Sequence, residues 1–321
     1  MDRHIPLIDI DNLFNVDSDS INYEDPQIQK IANEFGLALH ENSGCAYLLN
    51  HGIPEEMIST VFAESKTFFE LPDDIKMKYC KKDVTKSNHG YSAVGQECLN
   101  NLNIRELKET FDICGNDCYY PEEVPKFKEV MESLEAACWK LHSKLFKLLS
   151  MSLKLDNVDF INDKARNCTD RTVPSLNTAR TAYYPPVGDD VIAGDIRCSA
   201  HTDWGLLTML LQDDIGGLEV QVPSKGWIPV PPIPGTIVVI TGDLLEKLTG
   251  GYFGATPHRV MIPEDEIKMK KYRQTFLSFS ISDNDVDIFP LRSELLDGDY
   301  DSKPVNSFEH AMWRSTLSYG V

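Results

Sequence analysis

The chain has no apolar run approaching the roughly 20 residues of a membrane-spanning helix, and no basic stretch followed by an apolar core near its start. Neither a membrane span nor a secretory signal is therefore expected. It also lacks a basic surplus: 31 Lys and Arg stand against 50 Asp and Glu, for a formal net charge of −19. A field of that sign repels nucleic acid and anionic membranes. The acids are dense near both ends (Asp9, Asp11, Asp17, Asp19; Asp283, Asp285, Asp287, Asp297, Asp299, Asp301). Paired cysteines are missing too. The eight cysteines, at 45, 80, 98, 114, 118, 138, 168 and 198, are scattered through a chain too long to need disulfide staples. Cys114 and Cys118 have no second Cys/His pair at zinc-finger spacing, so reduced thiols in a cytoplasmic protein are expected. Lysines gather at Lys76, Lys78, Lys81, Lys82 and Lys86, which read as a solvated helix end and loop.

What is present is ordinary globular composition, 42% apolar and 25% charged over 321 residues, with ample length for a core. Residues 5–10 and Cys45–Leu49 read as strands, 26–42 and 55–69 as helices, and about 126–153 as a long helix. The last carries an apolar stripe from Phe127 through Met131, Leu134, Cys138, Leu141, Leu145 and Leu148. The stretch 83–120 reads as loop. From about 176 short β-rich runs alternate with Gly, Pro and Asp: 178–184, 206–211, 218–222, 227–230, 236–240, 258–262 and 274–280. That texture predicts a β-sandwich, jelly roll or barrel. The expected organisation is a mixed α/β region over 1–120, then a support helix and β-core over 121–321, packed as one unit.

His201-Thr202-Asp203 is the one His-x-Asp/Glu among eight histidines, and His258 follows from a distant segment. Two imidazoles and one carboxylate are the facial triad that leaves three positions of an octahedral Fe(II) open. Along a strand, residues i and i+2 share a face, so His201 and Asp203 can grip one ion while Thr202 points away. The narrow mouth of a jelly roll would bring His258 to them. Zinc could take the same ligands, but no hydrolase base stands at recognisable spacing.

Several segments then align in order: Ile-Pro-Leu-Ile-Asp (5–9), Asn-His-Gly-Ile-Pro (50–54), Phe-Phe-Glu-Leu-Pro (68–72), Leu-Lys-Glu-Thr-Phe-Asp (107–112), His-Thr-Asp-Trp-Gly (201–205), Gly-Gly-Leu-Glu-Val (216–220), Gly-Asp-Leu-Leu-Glu (242–246) and Thr-Pro-His-Arg-Val (256–260). With these the chain resembles the isopenicillin N synthase-like branch of the Fe(II)/2-oxoglutarate-dependent dioxygenases, nearly end to end. The resemblance implies a mainly β fold with flanking helices, a double-stranded β-helix (jelly roll) core behind a helical, mixed N-terminal region. It implies Fe(II) on His201, Asp203 and His258, with 2-oxoglutarate and O2 as co-substrates and ascorbate as a reductant. The family's Arg-x-Ser anchor for the far carboxylate of 2-oxoglutarate is matched by Arg273-Gln274-Thr275, and its Asn-Tyr-Tyr-Pro by Ala182-Tyr183-Tyr184-Pro185, which assigns Tyr184 to the same carboxylate. Ala182 departs from that pattern by removing a side-chain amide. It keeps open a 2-oxoglutarate-independent iron oxidase of the isopenicillin N synthase type.

The reaction implied is oxidation of an unactivated C–H bond of a small metabolite, by hydroxylation, desaturation or ring closure, with 2-oxoglutarate going to succinate and CO2. Secondary metabolism, a cytoplasmic monomer and a small-molecule substrate fit that picture. Residues 180, 182 and 184 share a strand face. If Tyr184 faces the pocket, so does Arg180, whose guanidinium beside the small Ala182 suggests a carboxylate on the substrate; the alternative is an acid neighbour at the rim. Tyr91 lies where relatives bring a loop toward substrate. His51 is expected to tie its turn, and His4, His40, His89, His142 and His310 carry no partner pattern.

Overall fold

The computed structural model describes residues 5–13, 21–41, 44–84, 87–99, 104–115, 118–167, 170, 172–173, 175–188, 195–223, 225–262, 264, 269–291 and 303–320. His4, Asp17, Asp19, Lys86, Cys168 and the acids at 297–301 fall outside them. The chain opens with β1 (Leu7–Asp9), α1 (Pro26–Glu41), β2 (Cys45–Leu49), α2 (Glu55–Phe69) and the short α3 (Asp73–Lys76). Strands β3 (Gly90–Ser92) and β4 (Glu109–Cys114) precede the long α4 (Phe127–Ser152). Then come β5 (Thr178–Tyr184), β6 (Cys198–His201), β7 (Leu207–Gln212), β8 (Leu218–Val222), β9 (Gly226–Pro229) and β10 (Thr236–Thr241). Helix α5 (Asp243–Leu248), β11 (His258–Val260), β12 (Arg273–Phe279) and α6 (Ser307–Tyr319) follow.

Two sheets build the jelly-roll core. An eight-stranded sheet runs β1-β2-β10-β7-β12-β5-β4-β3, and a four-stranded sheet runs β6-β11-β8-β9. Helices α1, α2 and α4 support the larger sheet. The apolar stripe of α1 (Ile28, Ile31, Phe35, Leu39) is buried with that of α4 (Met131, Leu134, Leu141, Leu145). A fully buried side chain such as Phe35 contributes on the order of 2–3 kcal/mol of transfer free energy. The seven described cysteines are free, and no helix among the described residues is long and apolar enough to cross a membrane.

The structure departs from the sequence reading at three places. The stretch 83–120 is not all loop: β3 and β4 lie in it, and every residue of β4 is buried. Its acids hide the strand from a hydropathy reading, yet they are paired. Lys76 meets Glu109 at 2.7 Å and Lys81 meets Asp112 at 2.7 Å, so two lysines of the presumed solvated cluster are buried partners instead. Strand β6 stops at His201, leaving Asp203 in the turn beyond it. Helix α6 has no counterpart in the sequence reading. It begins at an Asn306 cap that accepts the Glu309 N–H at 3.1 Å and ends at Gly320 with φ 67°.

The turn after β6 needs Gly205. A Cβ there would meet the Ser280 carbonyl oxygen at 2.0 Å. That close approach lets the Asp203 turn pack against the end of β12, with Leu206 N–H donating to Ser280 O at 2.7 Å.

Candidate active site

His201 and His258 sit directly opposite one another on the antiparallel pair β6·β11, with ring centroids 4.2 Å apart. Asp203 Oδ1 lies 3.7 Å from His201 Nε2 and 3.8 Å from His258 Nε2. The donor atoms of all three residues fall within 4.8 Å of one another. Each ring is aimed by a carbonyl two residues back: His201 Nδ1 is 2.7 Å from Ser199 O and His258 Nδ1 is 3.0 Å from Thr256 O. With the proton on Nδ1, each Nε2 offers its lone pair inward. The Thr208 hydroxyl donates to Asp203 Oδ2 at 2.5 Å, which leaves Oδ1 for an ion. Burial lowers both imidazoles, His258 to about 4 with His201 adding to the effect, so both stay neutral as ligation requires. Thr202 does turn away from the ion position. Its hydroxyl accepts from Arg314 Nη1 of α6 at 3.3 Å and its carbonyl from Arg314 Nη2 at 2.7 Å.

The same three side chains line a cavity with Tyr184 and Arg273. Register explains the grouping: on β12·β5, Arg273 is opposite Tyr184 and Thr275 opposite Ala182. Arg273 is wholly buried, with its guanidinium carbon 4.8 Å from the Tyr184 ring centroid. Its Nη2 donates to Gln212 Oε1 at 3.2 Å, while its Nε and Nη1 have no partner among the described residues. Buried donors left unsatisfied are costly, so such a cluster suits an anion from outside the chain. An iron ligand set and an orphaned guanidinium in one cavity fit Fe(II) with a 2-oxo dicarboxylate.

A second cavity shares His201, Asp203, Arg180 and Phe279 with the first and has Leu176, Trp204 and Ile281 in its wall. Arg180 faces both cavities, as strand alternation predicts, but its guanidinium is already committed. It grips Asp112 at 2.6 and 2.7 Å and Glu97 at 2.9 and 3.1 Å. The acid-neighbour alternative thus describes the geometry, and a substrate carboxylate would have to displace one of these acids. The network extends further. Asp112 also takes Lys81, and Lys108 bridges Glu97 at 2.9 Å and Glu106. Lys81, Arg180 and Lys108 balance Glu97, Glu106 and Asp112, three charges against three. Burial opposes the charges of Glu97, Asp112, Lys81 and Lys108, and their opposite partners outweigh it: the two acids are held below the usual carboxylate range and the two lysines above the usual lysine range. Tyr319 of α6 closes the network with its hydroxyl on Lys81 and Glu97.

Tyr91 is not brought to the cavity. It is part of strand β3, 3% exposed, and its hydroxyl donates to Glu109 at 2.5 Å. Here a core strand occupies the place where a substrate-facing loop was expected. Sequence reading missed Thr208, whose only signal is its place five residues beyond Asp203. It also missed Thr110, whose buried, unpartnered hydroxyl lines the cavity across the register from Ala182. His51 holds its turn as expected, accepting the Ile53 N–H at 3.2 Å.

Two family models match the chain. Residues 5–138 match the N-terminal region of "non-haem dioxygenase in morphine synthesis", and residues 176–294 match the 2OG-Fe(II) oxygenase superfamily. Among curated relatives, the 2-oxoglutarate-dependent dioxygenase htyE of Aspergillus rugulosus is 31% identical over 76% of this chain and 79% of its own length. The homoarginine-6-hydroxylase 2-ODD-C23 of Glycine max is 30% identical over 89% and 88%. Among solved structures, a full-length Neurospora crassa protein in complex with alpha-KG superposes with a TM-score of 0.82 at 25% identity, covering 97% of this chain and 96% of that one.

Proposed function

Because this chain belongs to the 2OG-Fe(II) oxygenase superfamily and is a non-haem Fe(II), 2-oxoglutarate-dependent dioxygenase, we propose how its own residues divide the work. His201, Asp203 and His258 hold the iron, and Arg273, Thr275 and Tyr184 receive the far carboxylate of 2-oxoglutarate. The observation that carries this assignment is the meeting, in one cavity, of a three-ligand cluster with Arg273, whose Nε and Nη1 have no partner among the described residues. When bound, iron and 2-oxoglutarate supply with O2 the oxidant for a C–H bond, as 2-oxoglutarate goes to succinate and CO2.

The chain's part is placement. The Ser199 and Thr256 carbonyls fix the imidazole planes and Thr208 fixes the carboxylate, so the three side chains would hold the ion at the cavity wall. Arg273 sets how deep the co-substrate sits. Leu99, Leu176, Phe279 and Ile281 give the substrate an apolar wall that excludes water, with Asn88, Glu97, Asp112 and Arg180 in its polar lining. Since these charged groups and the Lys81, Lys108 and Glu106 that complete their network sum to zero, the favoured substrate is a small metabolite whose polar end carries no net negative charge, either neutral or zwitterionic. The curated relatives named for homoarginine and proline hydroxylation support a small-metabolite reading of this kind.

The test is an anaerobic titration of 2-oxoglutarate into the Fe(II)-loaded protein, followed by the visible metal-to-ligand charge-transfer band. A saturable band is expected in the native protein, lost in His201→Ala and shifted to at least roughly tenfold higher concentration in Arg273→Met. Iron demonstrably bound with no band, or an unshifted Arg273→Met titration, would overturn the assignment.

A further inference from the structure

Arg197, just before β6, is as completely buried as Arg273. Its Nη2 donates to the Lys271 carbonyl at 3.2 Å, while its Nε and Nη1 have no partner among the described residues. Lys271 lies two residues before Arg273, so both guanidinium groups reach the same end of β12. Burial, and then the charge of Arg273, pull Arg197 down to about 10. A buried cation that sits next to another and leaves two donors empty is an expensive arrangement for a chain to keep.

Counter-charge is scarce around the pair. Asp213 acts on both guanidinium groups, yet its own oxygens are taken up by the backbone N–H groups of Gln274 at 2.6 Å and Ile215 at 3.1 Å. The neighbouring Tyr184 phenol is pushed further from ionisation by burial. Among the described residues, two buried cations therefore face one carboxylate and are one negative charge short.

We propose that Arg197 is a positioning residue for the co-substrate: it supplies the second positive charge that the far carboxylate of a 2-oxo dicarboxylate neutralises, while Arg273 makes the direct contact. This rests on the reading that Arg273 receives that carboxylate. The missing charge is then brought by the ligand. The pair selects dicarboxylic over monocarboxylic 2-oxo acids, and binding relieves a repulsion that the ligand-free protein carries.

The experiment compares 2-oxoglutarate with 2-oxobutyrate, which chelates through the same keto acid but lacks the far carboxylate. Both are titrated anaerobically into the Fe(II)-loaded native protein, Arg197→Met and Arg273→Met, with the charge-transfer band as readout. The native protein should prefer 2-oxoglutarate strongly, and Arg197→Met should lose roughly tenfold of that preference while binding 2-oxobutyrate as before. Arg197→Lys, which keeps the charge, should recover most of it. Thermal scans without ligand should find Arg197→Met no less stable than the native protein, and its stabilisation by 2-oxoglutarate reduced. If both keto acids weaken equally, Arg197 is merely structural and the proposal falls. If Arg273→Met loses the preference and Arg197→Met keeps it, the proposal falls and the Arg273 assignment stands. No preference in the native protein would sink both.

Discussion

Replacing Asp112 with Asn tests whether the buried ion network is held by charge balance. The substitution conserves shape and one acceptor but removes the charge shared by Lys81 and Arg180, leaving three cations against Glu97 and Glu106. Asp112 is fully buried, so water cannot make good the loss. Breaking a buried pair by deleting one partner costs about 3–5 kcal/mol. With an unfolding entropy of about 2.1 cal/mol/K per residue, the 321 residues give about 0.7 kcal/mol/K. The melting temperature should therefore fall by about 4–7 °C. Urea denaturation and thermal scans followed by circular dichroism measure both quantities. The double variant Asp112→Asn/Lys81→Met restores neutrality and should recover part of the loss. The pH dependence has a fixed sign. Burial raises the Asp112 pKa, but Arg180 and Lys81 outweigh it and depress it below the unfolded value. Its contribution is thus complete above that unfolded value, about 4, and is lost as pH falls through the depressed one. The gap between native and variant proteins should narrow at the acid end. A loss under about 1 kcal/mol, well short of the expected range, or a double variant less stable than the single, would refute charge balance as the network's organising term.

Thr208→Val removes the hydroxyl that orients Asp203 and should weaken iron binding by about 10- to 100-fold; competition with a chromogenic chelator measures it, and unchanged affinity would remove Thr208 from the metal site's support. His142 is buried against Ser278, and burial lowers it to about 3 despite an opposing hydrogen bond to the Ser278 carbonyl. Between its unfolded value and about 3, the unfolded chain takes the proton first, so stability drops as pH falls, by up to about 1.4 kcal/mol per unit. His142→Gln should flatten the acid limb of a melting temperature against pH series, and an unchanged limb would show that other groups set it.

The candidate site was legible because its signal is local and chemically rare: one His-x-Asp and a later His, with an Arg and a Thr two residues apart further on. Strand alternation also put Arg180, Ala182 and Tyr184 on one face correctly. What alternation could not supply was the occupant of the guanidinium, because Glu97 and Asp112 arrive from separate segments with nothing in common along the sequence. Strand β4 was hidden for the same reason, since Glu109 and Asp112 read as solvent-facing until Lys76 and Lys81 are seen beside them. Helix α6 keeps Trp313 and Leu317 exposed, which blurs the periodic stripe that revealed α1 and α4. Arg197 carries no signal until its burial is known.

The direct opposition of His201 and His258 also bears on how the molecule comes to be assembled. The two strands are far apart in sequence, so their pairing closes a long loop and is slow compared with helix formation. The ladder is irregular between His258 and Val260, where a slip of pairing is easiest. A one-residue slip would turn His258 to the other side of its strand and take it away from its partners. With the proposed ligand set, only molecules with the right register would chelate, and by mass action iron would then pull the population toward that register. Metal retention after refolding therefore counts correctly assembled barrels, a population that secondary-structure content alone would not separate from slipped ones.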